Sequence, residues 1–263
     1  MDVSASTSTS KRLSKSERKR RRYENLRERR LEQRREEHKR KRRRDGLNRT
    51  ERQRRADETS ARLATAQEVG QRICVDLSYT SQMSNKEQRK LALQLGRIWG
   101  LQKCCQRPAN LSLVGVDTKD SFYELCQSLV TGFASFLWNV SSKSLTDEFD
   151  VDDLVYLSPD PSAPPLMALD RSKVYVIGGL VDEERVKGVT TAHAQAQSVC
   201  VVRLPIEEWM DRSGTGTHDV TLTVNQVVHV LMCFGCSGDW TQAFQTALPK
   251  RLGFVPKTDA SLL

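Results

Sequence analysis

Lys173-Val-Tyr-Val-Ile-Gly-Gly-Leu-Val-Asp-Glu183, KVYVIGGLVDE, sets four β-branched or aromatic residues directly before a glycine pair. A short apolar run stopped by glycines predicts a buried strand over Val174–Ile177. Upstream, Leu154-Val-Tyr-Leu157 is a second such run, stopped by Ser158-Pro159-Asp160 and a proline-rich loop. Further back lie Asn110–Val116 and Arg72–Tyr79; downstream lies Val199–Arg203. The intervening stretches have helical spacing. Leu91, Leu95, Ile98 and Leu101 mark a helix over Asn85–Cys105, and others are predicted over Ser121–Leu137, Thr191–Gln197, Val220–Cys233 and Trp240–Leu248. Strands alternating with helices predict an open, mainly parallel α/β sheet beginning near Gln71.

What precedes that domain is different in kind. Lys11 to Arg55 holds 23 Lys or Arg against 8 acids, a local charge near +15. The whole chain of 263 residues sums to +9, so the remainder carries about −6. Residues 1–10, rich in Ser and Thr, are expected to be disordered. Residues 11–70 are expected to form a basic helical extension interrupted at Gly46 and supported by Glu17–Arg21, Glu32–Arg35 and Glu36–Arg40 pairs. Between Lys15 and Arg44 the apolar residues are little more than Tyr23, Leu26 and Leu31, too few for a membrane-lying helix or a coiled coil. An Arg-dense segment of this kind is matched to phosphate backbones. Its bland alternative is a solvated helix or a nuclear-import signal.

No apolar run is long enough to cross a bilayer, and Met1–Ser10 has no signal-peptide core. Seven cysteines in this setting are expected to be reduced thiols of the cytosol or nucleus. Cys233 and Cys236 form a CxxC, but no second pair or nearby His completes a zinc site, and no metal is implied.

In an open α/β sheet, ligands sit beyond the carboxyl ends of the strands. Leu157–Asp160, Gly178–Asp182 and Arg203–Ile206 meet that expectation. Gly178-Gly179 is not GxGxxG and the chain has no P-loop, so dinucleotide and nucleoside triphosphate readings lack their fingerprints. The glycine pair taken alone is more often a tight turn than a cofactor loop, and an aspartate placed as Asp182 is, after a strand, is usually a helix cap or turn former. Asp76 and Asp160 read as turns or caps, His193 and His229 as solvated or core residues, and Trp209 and Trp240 as packing anchors. Asn225 and Gln226 admit both a cap and a ligand contact.

KVYVIGGLVDE from Lys173, RLPIEEWM from Arg203, LTVNQVVHVL from Leu222 and GDWTQAFQTALPKRLGFVP from Gly238 together resemble the eukaryotic and archaeal tRNA position-9 methyltransferase family. Ile73–Asp76 and LVYLSPD from Leu154 fit the same family in the same order, and the basic arm matches its layout. Among the branches, the second vertebrate nuclear/cytosolic type is the most similar. The resemblance implies a SPOUT methyltransferase domain over 71–257 with a C-terminal trefoil knot, followed by a tail over 258–263. It implies S-adenosyl-L-methionine as cofactor, lined by Leu157, Gly179, Glu183, Glu184, Arg185, Val186, Lys187, Leu204, Leu222, Thr223 and Val224. It implies a tRNA substrate, a monomer, and a place in the nucleus or cytoplasm.

Within that resemblance Asp182 matches the family's proposed base. N1 of guanine carries a proton at neutral pH, so methylation there benefits from a positioned carboxylate. N1 of adenine has a free lone pair and needs none. The arm would grip RNA through Arg18, Lys19, Arg20, Arg21, Arg22, Arg42, Arg43 and Arg44. Two other readings stand beside this one: a noncatalytic tRNA-binding scaffold with a degenerate SPOUT domain, and a different α/β enzyme whose arm is only a localisation signal.

Overall fold

The structure, a computed structural model, describes residues 14–44, 49–181, 198–212 and 222–257. The expectations for residues 1–10, Gly46, the helix over Thr191–Gln197, His193 and the tail over 258–263 lie outside the described residues. The chain divides into two compact units between Ala56 and Asp57.

The first unit is helical. Helix α1 spans Lys15–Arg44. Its start is fixed reciprocally: Ser14 N–H donates to the Glu17 carboxylate at 2.8 Å, and Glu17 N–H to Ser14 Oγ at 3.2 Å. Two of the pairs expected from spacing, Glu17–Arg21 and Glu32–Arg35, are not among those formed, and the Arg40 side chain of the third lies outside the described residues. Arg20 meets Glu24 at 3.1 Å, Lys39 meets Glu36 at 4.0 Å, and Glu17 serves the helix start instead. A long exposed side chain has several partners within reach three or four residues away, and spacing alone does not choose among them. Helix α2, Arg49–Val69, begins in this unit, where Glu51 takes both Arg54 at 2.8 Å and Arg55 at 3.1 Å.

The last turns of α2 belong to the second unit. Leu63 and Ala66 are buried there, Gln67 Nε2 donates to the Leu137 carbonyl, and Asn110 Nδ2 donates to that of Gln67. The compact domain therefore starts before residue 71.

Strands β1 Arg72–Asp76, β2 Asn110–Val114, β3 Asn139–Ser141, β4 Leu154–Leu157, β5 Val174–Gly178 and β6 Cys200–Val202 form a six-stranded sheet in the order β3-β2-β1-β5-β4-β6. Every pairing is parallel. Alternate residues supply the two faces. Ile73, Val75, Leu113, Leu157, Tyr175 and Ile177 join the larger core with helices α3 Asn85–Cys104 and α4 Ser121–Leu129. Cys74, Val114, Tyr156, Val174 and Val176 pack on the other face with Leu145, the first residue of the single-turn α5, Leu145–Glu148. After β6, the single-turn α6, Ile206–Trp209, leads to α7, Val224–Ser237, and α8, Trp240–Ala247, which complete the larger core.

Several boundaries differ from the sequence reading. The helix expected over Ser121–Leu137 ends at Leu129. Phe122, Cys126, Leu129, Phe133 and Phe136 keep a helical period, but the backbone becomes extended at Val130 and turns at Gly132 with φ +76°. The aromatic residues beyond pack on α3 instead, with Trp99 stacked on Phe136 at 4.6 Å, and the chain continues into β3. The first strand stops at Asp76 rather than Tyr79, and the second at Val114 rather than Val116, where Gly115 turns with φ +73°. A two-stranded antiparallel ribbon, β7 Met210–Arg212 with β8 Phe254–Pro256, was not foreseen. Its three-residue strands are too short for a periodic signal, and Arg212 covers the Phe254 ring at 5.3 Å.

Buried thiols make stability fall in alkali. Burial pushes Cys126 up to about 12 and Cys74 well above the ordinary thiol range. An unfolded thiol titrates near ~8.5, so above that pH the unfolded chain releases protons that the folded chain retains. Their contribution is complete below about pH 8.5 and is lost toward 12, at about 1.4 kcal/mol per pH unit per thiol. The urea midpoint should hold from pH 7 to 8, then drop by pH 10, and Cys126→Ala should make that drop shallower. A midpoint flat to pH 10 would contradict this.

Candidate active site at the strand ends

From β1 the chain moves outward to β2 and β3, then returns to place β5 on the other side of β1, with β4 and β6 beyond it. The order thus reverses between β1 and β5, where open α/β sheets form their ligand crevice at the carboxyl ends. Asp76 ends β1 there, and Gly178-Gly179 ends β5.

The junction is tight. Gly179 N–H donates to the Asp76 carbonyl at 2.7 Å. A Cβ on Gly179 would lie 2.8 Å from that oxygen and 2.7 Å from Leu77 Cδ2. The second glycine is therefore demanded by the chain's own packing on β1. Val181 follows, its N–H 3.4 Å from the sulfur of buried Met83.

Asp76 is fully buried. Its carboxylate accepts from Ser78 N–H at 3.1 Å, Ser78 Oγ at 2.7 Å and the Tyr156 hydroxyl at 3.3 Å. Tyr79 and Tyr156 hydroxyls are also within 3.3 Å of each other. Burial raises both phenols, Tyr79 to about 12, so both stay protonated at neutral pH. Asp76 is thus a turn-former tied to a tyrosine pair, in keeping with its structural reading. Asp160 is another: it accepts from Ser162 N–H and Oγ at 2.9 and 2.8 Å.

Beside β5, Leu157 ends β4, and Ser158 N–H donates to the Val202 carbonyl at 2.9 Å, joining the β4 end to the β6 end. Beyond β6, Arg203 forms a fork on Glu208, with Nη1 at 2.9 Å from Oε2. The Glu208 hydrogen bonds raise the guanidinium's pKa, and Arg203 holds the carboxyl below its usual range. This pair, spanning the Leu204-Pro205 turn, was not singled out in the sequence; RLPIEE places an acid five residues after a base, but nothing there specifies a turn that closes the gap. Glu208→Gln should lower stability by about 1–2 kcal/mol, since the partner guanidinium is only partly exposed. Exposed Glu207→Gln should change it little, and equal melting shifts in the two variants would contradict the role given to the pair.

The head of α7 is anchored from two sides. Thr223 N–H donates to Gln226 Oε1 at 2.8 Å, and Val224 N–H to the Oε1 of buried Gln94 on α3 at 2.9 Å. Asn225 Oδ1 accepts from Thr223 Oγ1 at 3.1 Å, so both side chains left open between capping and ligand contact serve the helix start.

Leu157, Leu204, Leu222 and Val224 all belong to the larger apolar core, as do Leu180 and Val181, and Gly179 and Thr223 are chain neighbours of its members. Asp182, Glu183, Glu184, Arg185, Val186 and Lys187 lie outside the described residues. Trp240 is buried and donates to the Met167 carbonyl at 2.9 Å, and burial lowers the His229 pKa, consistent with the packing roles expected of them. Cys236, from the CxxC, has its sulfur 3.5 Å from that of Cys105.

A profile of the family described as tRNA (guanine(9)-N(1))-methyltransferase TRM10/TRM10A matches residues 7–253. The chain belongs to this family. Among curated TRM10 relatives, tRNA methyltransferase 10 homolog B of Bos taurus is 39% identical over 196 residues, covering 74% of this chain and 62% of that protein. The tRNA (guanine(9)-N1)-methyltransferase of Schizosaccharomyces pombe is 31% identical over 195 residues, covering 72% and 62%. The chain therefore spans less than two thirds of the length of these relatives. The crystal structure of full-length spTrm10 in complex with SAH superposes with a TM-score of 0.59 at 28% identity, covering 68% of this chain and 94% of that one.

Proposed function

We propose that this TRM10-family chain transfers the methyl group of S-adenosyl-methionine to N1 of the purine at position 9 of a tRNA. It acts as a monomer in the nucleus, the cytoplasm or both, on guanosine, adenosine or either. The observation that carries this reading is the reversal of strand order between β1 and β5, where the Gly178-Gly179 turn packs tightly on Asp76, in a chain 31% identical to a tRNA (guanine(9)-N1)-methyltransferase. Its 39% identity to a homolog B supports the second vertebrate type.

The donor set suits this cofactor. The described part of the site offers strand-end backbone and apolar side chains, and its charged pair, Arg203 and Glu208, is mutually neutralised. Leu157, Leu204, Leu222 and Val224 would flank the adenine and thioether portions with Gly179 and Thr223, and the family resemblance adds residues 183–187 to the cofactor's lining. When bound, the cofactor supplies a methyl group already activated on a sulfonium. The chain's own task is to hold the ring nitrogen in line with that methyl and to exclude water, and alignment of this kind supplies much of a rate. Asp182 takes the N1 proton of guanosine; adenosine leaves it idle. The purine must leave the folded RNA to reach the site. The domain threads a C-terminal trefoil knot, an exception to ordinary topology. Arg18, Lys19, Arg20, Arg21 and Arg22, all exposed on α1, and Arg42, Arg43 and Arg44 at its end grip phosphates.

The test is a tRNA transcript carrying a pyrimidine at position 9 beside its purine parent, with methyl-labelled cofactor. Label should enter the parent alone; equal label in both would overturn the position assignment.

A further inference from the structure

The opposite rim of the sheet also carries a cavity. The residues leading into β1, β2 and β5 open onto a space of about 700 Å³, well within the range of small-molecule sites. The end of α2 forms one wall and the second half of α7 another. Ile73, Leu169, Leu231 and Phe234 give it an apolar lining. Gly235 and Gly238 keep one side open: a Cβ on Gly235 would meet only Leu169 Cδ1 at 4.0 Å, and one on Gly238 nothing.

Three guanidiniums, Arg62, Arg107 and Arg171, stand on this lining, and no carboxylate does among the described residues. Arg62 donates through Nη2 to the Lys103 carbonyl at 2.8 Å, while its buried Nε has no partner among the described residues. The acids next to the lining in sequence, Glu68, Asp170 and Asp239, are not on it. Asp170 holds Ser172 N–H and Oγ at 2.8 and 2.7 Å, and Asp239 takes Gln242 N–H at 3.2 Å. Such a site combines a lining that is positively charged with a base-sized apolar surface. Guanidiniums suit phosphate oxygens, and a nucleobase supplies the flat apolar body beside the phosphate that an acidic peptide lacks.

We propose that this cavity is a second RNA-contact site, taking an unpaired nucleotide of the tRNA with its phosphate on Arg107 and Arg171 and its base against the apolar lining. The inference rests on the tRNA reading above. The five residues of β1 separate the two rims by roughly 17 Å, about five nucleotide steps of one strand, so RNA presenting a purine at one rim has backbone to reach the other.

Arg107→Glu with Arg171→Glu tests the charge, and Gly235→Leu fills the space without altering charge. The full chain is titrated with tRNA across a salt series, and with S-adenosyl-methionine as a folding control. The double variant should bind tRNA at least about tenfold more weakly, with the log–log salt slope reduced by about 1.4. Gly235→Leu should lose affinity several-fold at unchanged slope, and cofactor affinity should hold in both. Wild-type tRNA affinity in Gly235→Leu overturns the site whatever the charge variant does, because a merely solvated basic patch would behave so. A polyglutamate peptide that displaces tRNA from the wild type but not from the arginine variant would assign the cavity to protein and overturn it also. In either case methyl transfer by the wild-type chain would leave the broader reading standing; a wild type that neither binds nor methylates tRNA would remove both.

Discussion

Deleting residues 1–56 should weaken tRNA binding by about a hundredfold or more at physiological salt while leaving cofactor binding and the melting temperature of the remainder nearly unchanged. The stretch from Lys11 to Arg55 contains 23 Lys or Arg, and neutralising phosphates with them releases counterions. If about six reach phosphates, the arm's contribution changes roughly a thousandfold between 50 and 200 mM salt, so the truncated chain should show a much flatter salt dependence. The cut must stop at Ala56. Leu63 and Ala66 are buried, and Gln67 bonds the Leu137 carbonyl, so removing all of α2 would damage the domain and confuse loss of grip with loss of fold. Unchanged tRNA affinity at every salt concentration would show that the arm is not the grip.

Asp182→Asn should slow guanosine methylation by roughly a hundredfold to ten-thousandfold, the usual contribution of a positioned base. Cofactor and tRNA affinities should stay near wild type, because asparagine keeps the shape and loses only the proton acceptor. The residual guanosine rate should climb with pH as N1 loses its proton unaided, a steeper dependence than the wild type shows. Any adenosine turnover should be affected far less. Equal slowing of both purines would assign Asp182 to positioning, and an unchanged guanosine rate across pH would remove it from the mechanism.

Much of the architecture was legible because the strands are short apolar runs closed by strong breakers. Leu154–Leu157 before Ser158-Pro159 and Val174–Ile177 before two glycines left little choice of element, and both strands form in place. Misreadings came where local pattern and tertiary packing disagreed. The helical period from Phe122 to Phe136 continues through Gly132, but the backbone turns there and the aromatics are taken up by Trp99. The ribbon of Met210–Arg212 with Phe254–Pro256 joins segments far apart in sequence, each only three residues long.

The strand ends that frame the candidate site were legible in the sequence, but not what supports them. Leu157, Leu204, Leu222 and Val224 are members of the larger apolar core, while Gln94 on α3 anchors α7, and Arg203 with Glu208 spans the turn after β6. Such partners are chosen by three-dimensional proximity, which residue type and spacing do not encode. The reason for Gly179 also emerged only in three dimensions: the nearest atoms it spares are those of Asp76 and Leu77.

The most direct measurement is methyl transfer from labelled S-adenosyl-methionine into two tRNA transcripts that differ only in carrying G or A at position 9, followed by nucleoside analysis. Label should be recovered as N1-methylguanosine, N1-methyladenosine or both, all of it from residue 9. Tight tRNA binding with no labelled nucleoside from either transcript would contradict it and leave a tRNA-binding scaffold in its place.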